Sequence, residues 1–288
     1  MPSSKVWLIT GSNTGLGLEL ALKALKEGDK VIAAMRTPSK CPPFLKDNAN
    51  VSILPFDLSW TQDTITSAMK TAVDAFGHID ILVNNAGYAY LGAIEESTDE
   101  ETKTQFEINV FGVLRTIRAA LPYLRAQRSG TIVNLSSVGG FHSFPANGLY
   151  CATKFALEGI TEALAAEVSP FGIRALIVEP GYFRTAFLAN PTAGMNVTTP
   201  IKDYDGTTAH EAAANIEKYN GKQLGNPVLG AQRIWEVVRG EGMAKGKKEL
   251  LRLPLGSDCG TMMRGYAEDL RETADEYEEI WRSTDFVE

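Results

Sequence analysis

Short apolar runs recur along the chain with little polar alternation inside them. They are "KVWLIT" (5–10), "KVIAAM" (30–35), "VSILPFDLS" (51–59), "IDILVNNAG" (79–87), "GTIVNLSS" (130–137) and "IRALIVEPG" (173–181). Strands of this kind are buried on both faces, which places them in a parallel sheet between two helix layers. The intervening segments have helical spacing: "LGLELALKALKEG" (16–28), "TITSAMKTAVDAFG" (64–77), roughly 98–127, and "LYCATKFALEGITEALAAEVSPFG" (149–172), which stops at Pro170 and Gly172. Repeated β-α units with right-handed crossovers build a doubly wound α/β fold. Pro55, inside the third run, points to a bulge or a sheet edge.

Beyond 181 the alternation lapses. Residues 182–225 are rich in Pro, Gly, Asn and Thr and read as a loop with short helices after the sixth strand. A helix near 228–240, a strand "KELLRLPL" (248–255) and an acidic amphipathic helix over about 261–282 complete the pattern. No internal repeat or linker divides the 288 residues, so one domain over 1–288 is expected, with its core at 5–256.

The formal net charge of −7, without a strongly basic run, argues against a general affinity for nucleic acid or anionic membranes. No apolar stretch reaches the length of about 18 residues that a membrane span needs, and "MPSSKVWLITGS" is no signal peptide. Three cysteines, Cys41, Cys151 and Cys259, are an odd number without CxxC spacing, as suits reduced thiols. A cytoplasmic protein is expected, in which the sequons at Asn134 and Asn196 carry no weight. No His/Cys/Asp cluster has metal-ligand spacing, so no metal is expected.

"LITGSNTGLGLELA" sets Gly11, Gly15 and Gly17 between the first strand and the first helix. A phosphate needs backbone close to it and N–H groups pointing at it, and glycine permits that approach at a helix N-terminus. Ser12, Asn13 and Thr14 add polar contacts, with Leu16 inside the same turn. Further on, Tyr150 and Lys154 stand one helical turn apart and project to the same side. A phenol near pKa 10 is a poor proton carrier at neutral pH, and a neighbouring ammonium favours its ionised form.

The spacing Gly-x-x-x-Gly-x-Gly, the order of the later motifs and the YxxxK pair together resemble the short-chain dehydrogenase/reductase family, over about 5–256. The family fingerprint TGxxxGxG is matched from Thr10 to Gly17. Asp57, with Leu58 beside it, falls where the family contacts adenine. "NNAG" (Asn84 to Gly87, with Ala86 inside it) matches the loop beside the adenosine ribose. "PGYFRT" (Pro180, Gly181, Phe183 and Thr185 among them) matches the segment that meets the nicotinamide. Phe183 stands where the family often has Val or Ile.

The resemblance implies a Rossmann-type domain and a catalytic set of Asn109, Ser137, Tyr150 and Lys154. Tyr150 is then general acid for reduction or base for oxidation. Lys154 lowers its pKa and bonds the nicotinamide ribose. Ser137 stabilises charge on the substrate oxygen, and Asn109 holds a water that links the lysine to solvent. Family members usually pair through long helices, which implies a homodimer or homotetramer.

An NAD enzyme usually carries an acidic residue at the end of the second strand. Here that position is Met35, followed by Arg36, whose guanidinium suits a 2′-phosphate. NADP(H) is therefore the expected cofactor, with Lys40 as a helper.

Tyr182, Phe183, Phe187, Leu188, Met195 and Tyr204 beyond the sixth strand, with Phe141, Phe144 and Leu149 before the tyrosine, suggest an apolar pocket. That lining favours a lipophilic carbonyl or secondary alcohol, as in the hydroxysteroid and retinol dehydrogenase-like members that "YCATKFALEG" resembles. His142 is a candidate to touch substrate. His78 and His210 are expected at the surface, and Cys151 in packing. Two rival readings are a sensor of NADP(H) without turnover and a non-redox or imine-reducing enzyme on the same scaffold.

Overall fold

The computed structural model describes residues 4–187 and 200–286. Seven strands form one parallel sheet in the order β3-β2-β1-β4-β5-β6-β7: β1 (Val6–Thr10), β2 (Lys30–Met35), β3 (Val51–Pro55), β4 (Ile81–Asn84), β5 (Gly130–Leu135), β6 (Ile173–Pro180) and β7 (Arg252–Leu255). The reversal lies between β1 and β4, where an open α/β sheet places its ligand crevice outside the strand carboxyl ends. β3 is an edge strand, the setting in which Pro55 costs no ladder bond on its open side.

Alternate strand residues feed two cores. Leu8, Ile32, Leu82 and Ile132 face one side, where α3 (Gln62–Phe76), α5 (Gly112–Gln127) and α6 (Gly148–Val168) contribute Ile65, Met69, Ile117, Leu124, Leu157 and Leu164. Trp7, Ile9, Val31, Ala33, Val83 and Val133 face the other side. There α1 (Gly15–Lys26) and α8 (Pro227–Arg239) supply Leu20, Ala24, Ile234 and Trp235. A strand buried on both faces has no use for polar alternation, which is why these runs read as continuous apolar sequence.

Five elements differ from expectation. The stretch 98–127 is α4 (Asp99–Phe106), a π-helical segment (Glu107–Phe111) and then α5, rather than one uniform helix. The last strand is confined to four residues, because Arg174 and its neighbours at the start of β6 have no β7 partner. A short helix α2 (Pro43–Lys46) precedes β3, and α7 (Thr208–Tyr219), at twelve residues, is longer than the short helices expected in the loop region 182–225. The C-terminal helix begins earlier than expected, as α9 (Ser257–Glu276), and breaks at Tyr277 before α10 (Glu278–Arg282). Among the described residues no helix is long and apolar enough to cross a membrane. Asn134 is fully buried in β5, where its amide bonds Asn84 and Thr161, so folded chain offers no sequon there. Asn196, Leu188 and Met195 lie outside the described residues.

Candidate active site

The turn between β1 and α1 is held by its own backbone and by the "NNAG" loop. Gly11 and Gly15 have φ of +67° and +58°, which side chains disfavour. A Cβ on Gly17 would lie 2.4 Å from Asn85 Nδ2 and 2.6 Å from the Gly11 carbonyl oxygen. Asn85 Nδ2 donates to the Thr10 carbonyl at 2.8 Å, and the N–H groups of Asn85 and Ala86 each donate to Thr10 Oγ1 at 3.0 Å. The Ser12 hydroxyl, fully buried, donates to Ala34 O. Thr14, at the N-cap of α1, makes no side-chain cap bond and no acidic residue lies in the first turn. The first N–H groups of α1 thus have no side-chain cap among the described residues, whereas Thr61 and Thr98 cap α3 and α4 with their hydroxyls. Leu16 packs toward Gly230 on α8 rather than toward the turn's open face.

At the end of β2, Met35 is buried and Arg36 and Lys40 are exposed, so the cationic side chains are free to meet an anion beside the turn. Asp57 is half-buried, its Oδ1 accepting from Ser59 N and Ser59 Oγ, and the Leu58 carbonyl accepts from Arg115. Asn84 is buried between strands, with Nδ2 on Asn134 Oδ1 at 2.8 Å.

The segment after β6 returns to the glycine turn. Thr185 lies across from Gly15, 3.5 Å from where a Cβ would stand, and Asp258 Oδ2 accepts from Tyr182 N at 2.7 Å. Gly181 has no room for a Cβ, which would fall 2.1 Å from Asp258 Oδ1. The Phe183 ring turns away from the pocket expected for it. It packs against Gly225, Gly230 and the core between α1 and α8, because a ring of that size finds space only beside those two glycines.

Ser137, Tyr150 and Lys154 converge at the carboxyl end of β5. Ser137 caps the 3-10 turn Val138–Gly140, its Oγ accepting from Gly139 N at 3.1 Å, and its hydroxyl flanks Gly139 together with the Tyr150 ring, each 3.5 Å from where a Cβ on that glycine would stand. Lys154 Nζ sits 5.6 Å from the Tyr150 ring centre and donates to the Leu135 carbonyl at 2.7 Å. Both side chains are buried. Burial pushes the Tyr150 phenol well above its ordinary value, against the lowering influence of Ser137. This is the reverse of the lowered phenol expected from the lysine alone: taking a phenolate out of water outweighs the other influences. Burial likewise lowers Lys154 to about 8, against the raising influence of Glu158.

Asn109 lies within the π-helical segment. Its Nδ2 donates to Tyr88 O at 2.9 Å and to Thr153 Oγ1 at 3.1 Å, and its Oδ1 accepts from Tyr88 N. A Cβ on Gly87 would lie 3.1 Å from Asn109 Oδ1 and 3.8 Å from Lys154 Nζ, so the asparagine amide and the ammonium flank the same glycine. Pro180 ends β6 beside Leu255.

Aromatic groups wall the space over Tyr150. The Phe187 ring is 6.0 Å from the Tyr150 ring, and Phe144 packs with Ala89, Tyr150 and Cys151. His142 stacks edge-on to Phe144 at 4.9 Å and to Tyr266 of α9 at 6.1 Å, while Tyr182 meets Tyr219 of α7 edge-on. Tyr266 and Tyr219 carry no local signal that would have singled them out. Leu149 is half-buried in the first turn of α6. Cys151 is fully buried, with burial raising its thiol, which fits packing.

Two expected surface or pocket residues serve another contact. His210 Nε2 lies 2.7 Å from Glu96 Oε1 and Nδ1 lies 3.3 Å from Asp205, and the Tyr204 hydroxyl donates to Glu95 Oε2 at 2.8 Å. His210 is therefore not a free surface histidine, since the buried Glu96 carboxylate has no solvent to satisfy it. His78 remains largely exposed beside Asp80.

A family model described as short chain dehydrogenase matches residues 5–196. An oxidoreductase of Botryotinia fuckeliana (strain B05.10), BOA17, is 35% identical over 281 residues and covers 97% of both chains. A short-chain dehydrogenase from Streptomyces avermitilis superposes with a TM-score of 0.85 at 35% identity, over 99% of this chain and 100% of that one. ElxO, in a structure with NADP bound, superposes with a TM-score of 0.71 at 26% identity, over 90% of this chain and 100% of its own.

Proposed function

The chain belongs to the short-chain dehydrogenase/reductase family, and from that premise we propose that it is an NADP(H)-dependent oxidoreductase of lipophilic ketones or secondary alcohols, with Tyr150 as acid/base. The observation that carries this reading is the buried Tyr150 side chain, beside Ser137 at Gly139 and one helical turn from Lys154. The nicotinamide, when bound, supplies or accepts the hydride. The chain's own residues handle the proton and the charge.

The uncapped N–H groups of α1 and the exposed Arg36 fit a dinucleotide bearing a 2′-phosphate, and buried Met35 leaves no carboxylate to repel it. Asp57 and Leu58, and the loop from Asn84 to Gly87, frame the adenosine side. Pro180, Gly181, Phe183 and Thr185 frame the nicotinamide side through their backbone. In reduction, Tyr150 gives its proton to the carbonyl oxygen as Ser137 donates to that oxygen. Lys154, held by the Leu135 carbonyl, stabilises the phenolate left behind, with Asn109 beside Gly87 on the path to solvent. Phe144, Phe187 and Tyr266 supply apolar lining that suits a lipophilic substrate over a sugar.

A panel of lipophilic ketones, incubated in parallel with NADPH deuterated on the one and on the other face of C4 and followed by absorbance and product mass, tests the reading. Deuterium on the carbinol carbon from one of the two is the expected result. Loss of substrate without label transfer from either would refute hydride chemistry.

A further inference from the structure

Behind the Tyr150–Lys154 pair lies a chain of charged side chains, buried except for the half-buried Arg252, that hydride transfer does not itself require. Lys154 and Glu158 stand one turn apart on α6, and both are buried. Consecutive residues at the end of β5 anchor them: Leu135 O accepts from Lys154 Nζ at 2.7 Å, and Ser136 Oγ donates to Glu158 Oε1 at 2.5 Å. The other oxygen of Glu158 is paired with Arg252 Nη1 from β7, which also reaches Glu179 Oε1 of β6 at 2.6 Å. Glu179 is fully buried, and its second oxygen has no hydrogen-bond partner among the described residues. Gly140 closes the roof, because a Cβ there would fall 1.9 Å from Glu158 Oε1 and 2.3 Å from Ser136 Oγ.

The charges alternate from Lys154 through Glu158 and Arg252 to Glu179. A buried ion pair contributes little to stability over well-packed apolar side chains, so such an arrangement is weakly explained as a mere fastening of β7. We propose that Glu158, held in place by Ser136 and Arg252, is a positioning residue that keeps the Lys154 ammonium charged. The importance of Lys154 for turnover rests on the function proposed above; the electrostatic coupling does not.

The surrounding groups fit this assignment. On α6, Tyr150 and Glu158 stand one turn before and one turn after Lys154, whose Nζ is 5.6 Å from the Tyr150 ring centre, and the exposed Glu162 lies 3.8 Å from Arg252. From α9, the Cys259 thiol is pushed up to about 12 by burial and then by Glu179, so it stays neutral. Burial, and repulsion from Glu158, raise Glu179 to about 7 against the pull of Arg252. Glu158 is the charge that acts on Lys154, opposing the lowering by burial.

The test is a titration of Lys154 in the whole, cofactor-free protein by 13C-lysine NMR, with its resonance assigned by its loss in Lys154→Arg. The expected wild-type midpoint is near 8. In Glu158→Gln it drops by about one unit or more, the lower end of the effect that a nearby opposite charge exerts. Glu158→Asp recovers most of that drop, and Glu162→Gln leaves the midpoint in place. Should Glu158→Gln fail to fold, Glu158→Met is made in an Arg252→Met background, and the drop is read against the Arg252→Met single variant, so that only the carboxylate differs. An unchanged midpoint in either folded variant overturns the proposal. A lowered midpoint in a protein that reduces no ketone supports the coupling while sinking the functional reading, so the two fail separately.

Discussion

Lys154 Nζ donates to the Leu135 carbonyl at 2.7 Å, which ties the helix carrying Tyr150 to the strand end that carries Ser137. The bond fixes one ammonium proton on the protein and leaves the others to face Tyr150 and Gly87. Because burial raises Tyr150, the phenol keeps its proton throughout the neutral range, the form a reduction needs. Because burial lowers Lys154 to about 8, the ammonium is present below that value and lost above it. Reduction is therefore expected to hold steady up to about pH 8 and to fall beyond it. Oxidation, which needs the phenolate, should gain with rising pH until Lys154 discharges. Tyr150→Phe should lose about 10²–10⁴-fold in kcat while binding NADPH as before. A stopped-flow pH profile in both directions, with fluorescence titration of the variant, checks this; near-normal kcat in Tyr150→Phe would exclude the assignment.

On the proposed reading, cofactor choice hangs on two adjacent side chains of opposite burial, Met35 inside and Arg36 outside. Met35→Asp with Arg36→Ala removes the guanidinium and offers a carboxylate to the ribose hydroxyls. The ratio of kcat/KM for NADPH over NADH is expected to fall at least about tenfold, since losing one charged hydrogen bond of about 1.5–3 kcal/mol suffices for that. An unchanged ratio would defeat the assignment of Arg36.

What could be read in advance follows from how local each arrangement is. Gly11, Gly15 and Gly17 share one strand-turn-helix, and Tyr150 and Lys154 share one turn of helix, so spacing alone places them together. Asn109 was legible only through its motif, because the π-helical segment that turns its amide toward Tyr88 has the same apolar pattern as an ordinary helix. Tyr266, Tyr219 and Arg252 reach the site from α9, α7 and β7, and no periodicity near them marks that destination. The inward turn of Phe183 was hidden for the same reason, since the space it fills belongs to Gly225 and Gly230. The direction of the Tyr150 shift also depends on burial, which a sequence pattern does not quantify.

The pairing of His210 with Glu96, 114 residues apart, joins the segment after β6 to the loop before α4. Glu96 also accepts from Ile201 N at 3.0 Å. The Glu96 hydrogen bond raises His210 above its usual value. Glu96 itself is held low by the Ile201 N–H, His210 and the Ala93 N–H, although burial works the other way. The sign follows for each group: the His210 contribution is fully present below the ordinary histidine value of about 6.5 and is lost as pH rises through the raised one. The Glu96 contribution is present above the ordinary carboxylate value and is lost as pH falls through its lowered one. Hydrogen exchange at the Ile201 amide, corrected for the intrinsic pH dependence, should lose protection on the alkaline side of the His210 midpoint. In His210→Ala that protection should be weak at every pH; equal protection in both proteins would rule out the tether.

Asp29 gathers three donors at the end of the sheet opposite the site. Its Oδ2 accepts from Trp7 Nε1 at 2.8 Å and from Trp235 Nε1 at 3.0 Å, and its Oδ1 accepts from Lys5 N at 2.8 Å. The carboxylate and both indoles are buried, so one residue satisfies the polar edges of two of the largest side chains in the second core. Asp29→Ala leaves both indole N–H groups without an acceptor and without room to reach water. With each unsatisfied donor costing about 1–3 kcal/mol, the variant is expected to lose about 3 kcal/mol of stability. Trp7→Phe should lose less than Asp29→Ala, because it removes a donor together with its need. Since the strand carboxyl ends carry Tyr150 and the glycine turn, turnover per folded molecule should stay at the wild-type level in Asp29→Ala. Urea unfolding with unchanged m-value gives the stability difference, and a loss below about 1 kcal/mol would show that the indoles do not depend on this carboxylate.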